Sequence, residues 1–361
     1  MKIYDAAIIG LGPSGLAVNK LIYDNQNKEI IAFDDNKIDK RDNFFGFWLT
    51  DWMKPYDNLI EKKWKSWQIS NKNNSISHSD ANRPYCVISY KKWKDFCLNT
   101  NNNFNFVNKK VINYELIKDY FKIILEDGRI YFAKKIYDSR SEKEQNNETI
   151  QHFFGLNIVT EDNTFNENKL TLMHFTEDSN HLHFIYVLPF SHKKALVEST
   201  VFSKKTMNEK WYRDQINKYL QSLSISKFKE ISSETGVIPM FFVDQKKPIY
   251  SNVFNIGIRG GACKPSTGYA FSFLIKHIQL LKDGNRNDLK VHKYVEKLMD
   301  RIFLNYLKNN TERGKIFIDI AESLSGSEFQ SFMMGQSSIL TKLKIIKSMP
   351  KLPFIKALIS L

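Results

Sequence analysis

The chain has 361 residues, 42% hydrophobic and 25% charged, which suits a folded protein with more than one domain-sized core and excludes a disordered chain. Its 53 basic and 39 acidic residues give a net charge of +14, spread along the whole length. That spread speaks against a nucleic-acid-binding arm and leaves an anionic membrane surface or an anionic cofactor as the partners to expect.

Ile3–Ile9 reads as a buried strand, Gly10–Gly15 as a glycine-rich turn, the residues to about Tyr23 as a helix, and Glu29–Phe33 as a second strand ending at Asp34 and Asp35. The stretch 36–100 is Trp-rich and is expected to be irregular. Short alternating runs then predict strands at Asn105–Phe106, Val111–Tyr114, Tyr120–Leu125 and Ile130–Phe132, with Glu126–Arg129 as a hairpin turn. A second β-rich block follows, with long strands at Leu182–Leu188 and Ala195–Phe202. Glu209–Leu223 has helical spacing. Phe254–Gly257 is another buried strand, leading into a second glycine-rich turn and a helix over Thr267–Leu281. From 290 onward the pattern is helical.

The β-rich block falls between the two glycine turns. This predicts an α/β fold with a discontinuous nucleotide-binding domain (1–80, 105–140 and 250–285). A substrate domain (81–104 and 141–249) is inserted into it, and a helical region (286–361) follows. No run of 18 apolar residues offers a membrane span, and Ala6–Gly10 is too short for a signal peptide. Cys86, Cys97 and Cys263 form no CxxC pair, and His174, His183 and His192 lack ligand order. No metal site or disulfide framework is expected, and a reducing, cytoplasmic setting is.

Gly10-Leu11-Gly12-Pro13-Ser14-Gly15 fits G-x-G-x-x-G between a strand and a helix. The first glycine permits the tight turn, the second lets backbone approach a pyrophosphate, and the third lets helix and strand pack closely. Asp34, 19 residues beyond Gly15, stands where an acid accepts a ribose hydroxyl, and Asp35 is placed to do the same. The motif names a dinucleotide and does not separate FAD from NAD.

Six further segments carry a family resemblance: Phe45–Trp48, Arg83–Ile88, Tyr186–Ser191, Leu196–Thr200, Gly236–Met240 and Gly257–Tyr269. In this order and spacing the chain resembles the flavin-dependent lycopene β-cyclases of the bacterial type. The resemblance implies a glutathione-reductase-like FAD fold and reduced FAD as cofactor, with NADPH as electron source. It implies lycopene or a related acyclic carotenoid as substrate, closed at its ψ-ends to β-ionone rings without net redox change. Glu198 matches the glutamate that handles the proton. Gly257, Gly260, Gly261, Pro265, Thr267 and Gly268 match the second turn against the cofactor. The chain departs from the family at Ser199, where some members carry a second acid, at Met173-His174 in place of Met-Asp, and at Asp138-Ser139-Arg140, which lacks the usual glycine.

The chemistry agrees with that assignment. Protonating a polyene needs a strong donor, and a carboxylic acid in an apolar pocket stays protonated. Glu198 lies in the apolar run Ala195-Leu196-Val197-Glu198, although alternation fits an outward, salt-bridged glutamate equally well. Phe45, Phe47, Trp48, Tyr186, Pro189 and Phe190 are candidates to line the pocket, since aromatic faces stabilise cations. Lys342, Lys344, Lys347, Lys351 and Lys356 alternate with apolar residues over Ser338–Leu361, a pattern that suits the inner face of an anionic membrane. A flavin monooxygenase of the same fold is the competing reading, together with a non-catalytic FAD- or carotenoid-binding relative. The second turn lacks the Asp such hydroxylases carry.

Overall fold

The structure, a computed structural model, describes residues 1–35, 43–100, 103–140, 148–177, 181–242, 248–284, 291–309 and 314–360. The first strand is two strands. Asp5 separates β1 (Ile3–Tyr4) from β2 (Ala6–Ile9), donating its N–H to Glu29 O at 2.9 Å and pairing its carboxylate with Lys134 at 3.1 Å. A polar residue engaged at both ends cannot continue a buried run, so β1 and β2 enter different sheets.

β2 is the centre of a five-stranded sheet in the order β19 (Val253–Asn255), β13 (Ile136–Asp138), β2, β3 (Glu29–Asp34), β9 (Asn103–Asn108). Every pairing is parallel. The unbroken apolar run of β2 suits a strand covered on both faces. α1 (Pro13–Ala17) starts with Pro13 in the first turn and continues as a π-helical stretch, Val18–Ile22. α2 (Tyr90–Leu98) and α4 (Phe271–Lys282) pack against it. β1 joins β12 (Ile130–Ala133), β11 (Tyr120–Leu125) and β10 (Val111–Ile117) in a four-stranded sheet. The expected turn closes there with Gly128 at φ +82°.

The Trp-rich stretch is ordered where it is described, contrary to expectation. It supplies β4 (Phe44–Trp48), β5 (Lys62–Trp64), β6 (Ser66–Ser70), β7 (Ser75–Ser79), β8 (Tyr85–Ser89) and a 3₁₀ segment, Asp51–Leu59. These strands are three to five residues long, too short for periodicity to declare itself, and buried Trp48, Trp64 and Trp67 hold them. β4, β8 and β5 form an antiparallel sheet. Residues 36–42 lie outside the described part.

The largest sheet has the order β18 (Phe228–Pro239), β14 (Ile150–Thr160), β17 (Lys194–Ser203), β16 (Leu182–Pro189), β15 (Lys169–Phe175), β6, β7. It is antiparallel except for β15–β6. One face packs under α3 (Glu209–Ser222), with Tyr212, Ile216 and Leu220 against Val197 and Val201. The other packs under the C-terminal helices α5 (Tyr294–Asn309), α6 (Lys315–Ser323), α7 (Gly326–Met333), α8 (Ile339–Ser348) and α9 (Lys351–Ile359). Residue 290, where the helical tail was expected to begin, lies outside the described residues. The interleaving is finer than the sequence suggests. Residues 66–79, grouped with the nucleotide-binding part, pair in the large sheet, while α2, grouped with the substrate part, sits beside α1.

The expected α/β architecture, with an inserted β-rich unit and a helical C-terminal region, is the observed one. Among the described residues no helix is long and apolar enough to cross a membrane.

Candidate active site

The two glycine turns meet. Gly10 sits at φ +89°, and a Cβ there would fall 2.3 Å from Ser139 Oγ, so both its conformation and its close approach require glycine. A Cβ on Gly15 would fall 2.0 Å from Gly10 O, the tight helix–strand packing the fingerprint specifies. Gly12 has open space on its side-chain face, at the start of α1 beside Leu11, Pro13 and Ser14. Asp34, buried at the end of β3, accepts the Leu11 N–H at 2.7 Å, whereas Asp35 is exposed. Gly257 closes the second turn against the first: its Cβ would stand 2.7 Å from Ser14 Oγ.

The rest of the second turn is built around a buried ion pair. Gly268 N–H and Thr267 N–H donate to Lys264 O at 2.9 and 3.3 Å. Lys264 Nζ pairs with Asp300 of α5 at 2.5 Å, and Ser266 Oγ donates to the same oxygen at 2.6 Å. Gly260 has no room for a side chain because His277 and Asn255 O stand 2.4 and 2.6 Å from its would-be Cβ. Gly261 and Pro265 complete the loop, with Gly261 N–H donating to Ile258 O at 2.8 Å. Ser139 Oγ donates to Ile9 O at 2.8 Å and steadies the first turn. Asp138 is wholly buried and held by Arg140 at 2.7 and 2.9 Å.

The second site lies across the large sheet. Cross-strand register aligns Tyr186, Glu198, Gly155 and Glu234 in one row over β16, β17, β14 and β18. Cross-strand partners share a face, so the two glutamates stand on either side of a glycine. A Cβ on Gly155 would lie 2.7 Å from Glu198 Cγ and 3.3 Å from Glu234 Cγ. Both glutamates are buried, and they hydrogen-bond to each other. Burial pushes the Glu198 carboxyl up to about 7, opposed by the hydrogen bond with Glu234. Glu234 Oε2 accepts the Phe44 N–H at 3.0 Å. Glu234 was not among the residues singled out from sequence.

Tyrosines connect this row to the second turn. Tyr186 Oη donates to Tyr85 Oη at 3.0 Å, and Tyr85 and Tyr269 hydrogen-bond with ring centroids 6.3 Å apart. Burial holds all three phenols well above their usual range, so they are neutral. The alternation of β4 divides the expected lining residues. Trp48 is wholly buried on the Tyr85 side. Phe45 and Phe47 point the other way and pack on Phe271 of α4, at centroid distances of 4.7 and 5.6 Å. Pro189 O accepts from Trp64 Nε1 at 3.1 Å, and the half-buried Phe190 lies tilted against Phe44 at a centroid distance of 5.0 Å.

None of those six lines an apolar cavity of about 490 Å³ that lies between the sheet and the C-terminal helices. Ile69 and Met173 belong to its sheet side, Ser266, Thr267 and Asp300 to its polar end, and Phe317, Phe329 and Phe354 to its helical walls. The cavity shares one apolar cluster with Leu196, the neighbour of Glu198 on the same face. The sequence departures fall elsewhere. Ser199 Oγ bonds His183 Nε2 at 2.9 Å on the α3 side of the sheet, and His174 bonds Ser70 at 2.9 Å and lies against Tyr219 of α3.

The fold is shared with solved flavoproteins. The chain is similar to a geranylgeranyl bacteriochlorophyll reductase-like protein of Thermoplasma acidophilum (14% identity, TM-score 0.62, covering 100% of this chain and 99% of that one). It is similar to Klebsiella pneumoniae HpxO, a mutant complexed with FAD (11%, 0.58, 94% and 99%), and to a mutant of halogenase PltM in complex with FAD (11%, 0.56, 92% and 78%). At these identities the likeness is one of fold. The family model described as lycopene cyclase protein matches residues 5–359, and the chain belongs to that family. The chromoplastic capsanthin/capsorubin synthase of Citrus sinensis is 23% identical over 291 residues, 74% of this chain; the match spans 57% of that relative's length.

Proposed function

We propose that this protein is a carotenoid cyclase that closes the ψ-ends of lycopene, or a related acyclic carotenoid, into β-ionone rings by proton transfer from Glu198. The observation that carries the reading is a carboxyl raised to about 7 by burial, on the sheet face that also borders a 490 Å³ apolar cavity. A group with that value has both forms available near neutral pH, which suits an acid that must also serve as base. The proton goes to the less substituted carbon of the terminal double bond. The tertiary cation is attacked by the neighbouring double bond, the ring closes, and the proton lost from the adjacent ring carbon returns to the protein. Atoms and electrons balance without an oxidant.

The residues present fit FAD. Gly12 leaves an open face at the start of α1, Gly10 and Gly15 close the turn, and Asp34 or Asp35 stands at the β3 end for the ribose. Gly257, Gly260, Gly261, Pro265, Thr267 and Gly268 would border it from the second turn. Held there in reduced form, with NADPH as the proposed electron source, FAD would supply negative charge that favours a developing cation. Access from a membrane is supported by α8 and α9. They expose Ile339, Leu340, Leu343, Ile346, Leu352 and Ile359 beside Lys347, Lys351 and Lys356, next to cavity-lining Ile355 and Leu358.

Expression in a lycopene-accumulating bacterium tests the reading. The wild-type chain turns the pigment from red to orange-yellow with cyclic product, and Glu198→Gln leaves lycopene unchanged. Unchanged lycopene with folded, flavin-loaded wild-type protein refutes it, and an oxygenated product points to the monooxygenase alternative.

A further inference from the structure

β18 is an edge strand with an inverted pattern. Ile231 and Val237 are 52% and 53% exposed, while Glu234 alone among its twelve residues is buried. A strand built only for packing would bury the apolar residues and expose the acid. The cost of burying this acid is met by specific groups: the Phe44 N–H from β4 and the carboxyl of Glu198 from β17. β4 is tied to the same stretch by a second bond, Asn43 Nδ2 to Thr235 O at 3.2 Å. Between the two acids β14 presents only Gly155, so no side chain separates them.

We propose that Glu198 and Glu234 form a proton-sharing carboxyl pair, with Glu234 as the positioning residue that keeps one proton on the pair while Glu198 exchanges it with substrate. Two carboxylates side by side in a buried row cannot both ionise, and the bond between them requires a proton. The groups facing Glu198 are Tyr186 from β16, Tyr85 from β8 and Glu234 from β18, with Tyr269 of the second turn bonded to Tyr85. The tyrosines are neutral, so the acid partner is Glu234. The pair therefore titrates as a unit. In the singly protonated state one oxygen can give a proton to the polyene and a carboxylate remains to take one back. Ser199, next to Glu198 in the chain, lies on the opposite face against His183, so the acid that meets Glu198 comes from another strand.

The chemical consequence rests on the cyclisation reading, and the pair itself does not, so two readouts are used on flavin-loaded protein. Infrared titration of the wild type is expected to show a protonated carboxyl persisting at pH 7. Its midpoint falls by about one pH unit or more in Glu234→Gln, and the wild-type midpoint returns in Glu234→Asp. The same midpoint in wild type and Glu234→Gln, or no protonated carboxyl at pH 7, overturns the pair. Cyclisation rates with lycopene in vesicles are expected to lose their alkaline limb by the same shift in Glu234→Gln, about 10-fold in kcat at pH 8. An unmoved rate profile beside a moved infrared midpoint overturns the role in proton transfer. If no acyclic carotenoid is cyclised while the infrared behaviour holds, the cyclisation reading falls and the pair stands.

Discussion

Gly155→Ala tests whether the missing side chain makes the room for two carboxyls. In a strand interior alanine is favoured over glycine by about 0.5–1 kcal/mol, so without the carboxyls the change would stabilise. Here the new Cβ would stand 2.7 Å from Glu198 Cγ, 3.1 Å from Leu196 Cδ1 and 3.3 Å from Glu234 Cγ, where ordinary contact begins at 3.4 Å. Glu198 must move by about 0.7 Å. Overpacking of that kind costs about 1–3 kcal/mol. The net change in stability is a loss of up to about 2 kcal/mol. The effect on rate is larger, because a displacement near 1 Å of a proton-transferring group costs about 10²-fold. Initial rates of cyclic carotenoid formation from lycopene-loaded vesicles, with a thermal melt of the same preparation, separate the two. A variant with wild-type kcat would show that the glutamates do not need the space, and the assignment of this row as the proton site would fail.

Three further outcomes are expected. Glu198 has a folded-state value near 7 against 4.5 for the free side chain, so its contribution to stability is fully present below 4.5 and is lost as pH rises through about 7. Glu198→Gln should then be more stable than wild type at pH 8, by on the order of 1–3 kcal/mol in urea unfolding, with the gain vanishing towards pH 5; equal stability at pH 8 would remove the buried acid. Lys264→Met strands Asp300, whose other carboxylate oxygen has no hydrogen-bond partner, and should cost about 3–5 kcal/mol, much of it recovered in Lys264→Met/Asp300→Leu; an unchanged melting temperature contradicts this. Replacing exposed Lys347, Lys351 and Lys356 by Gln removes about 1 kcal/mol each at an anionic bilayer and should weaken vesicle binding about 10²-fold at low salt. Undiminished co-sedimentation would take these lysines out of the contact.

Long elements were legible in the sequence because one period dominates them. β16, β17, α3 and both glycine turns lie within a few residues of the expected bounds. Short strands were not. β4 to β8 are too brief for alternation to rise above noise, and their pairing partners lie up to about a hundred residues away. The site divides the same way. Glu198 stood out as an acid in an apolar run. Glu234 carries no such signal: its neighbours on the same face are Ser232 and Gly236, and its burial comes from register with Gly155 and from the Phe44 amide. Phe45 and Phe47 share a motif with Trp48; strand alternation turns them away from it, and the docking of α4 gives them Phe271 as a partner.

The two departures that most weaken the resemblance also read differently once faces are assigned. Ser199 follows Glu198 directly, so strand alternation sends it to the α3 side, where it bonds His183. An acid at 199 would meet that histidine rather than the face of Glu198 and the apolar cavity. His174 lies on the same α3 side, against Tyr219. The acid able to act with Glu198 must come from a strand two positions away across a residue with no side chain, and β14 meets that condition at Gly155. Substitutions at Ser199 and His174 should accordingly act on the packing of α3, while those at Gly155 and Glu234 act on the chemistry.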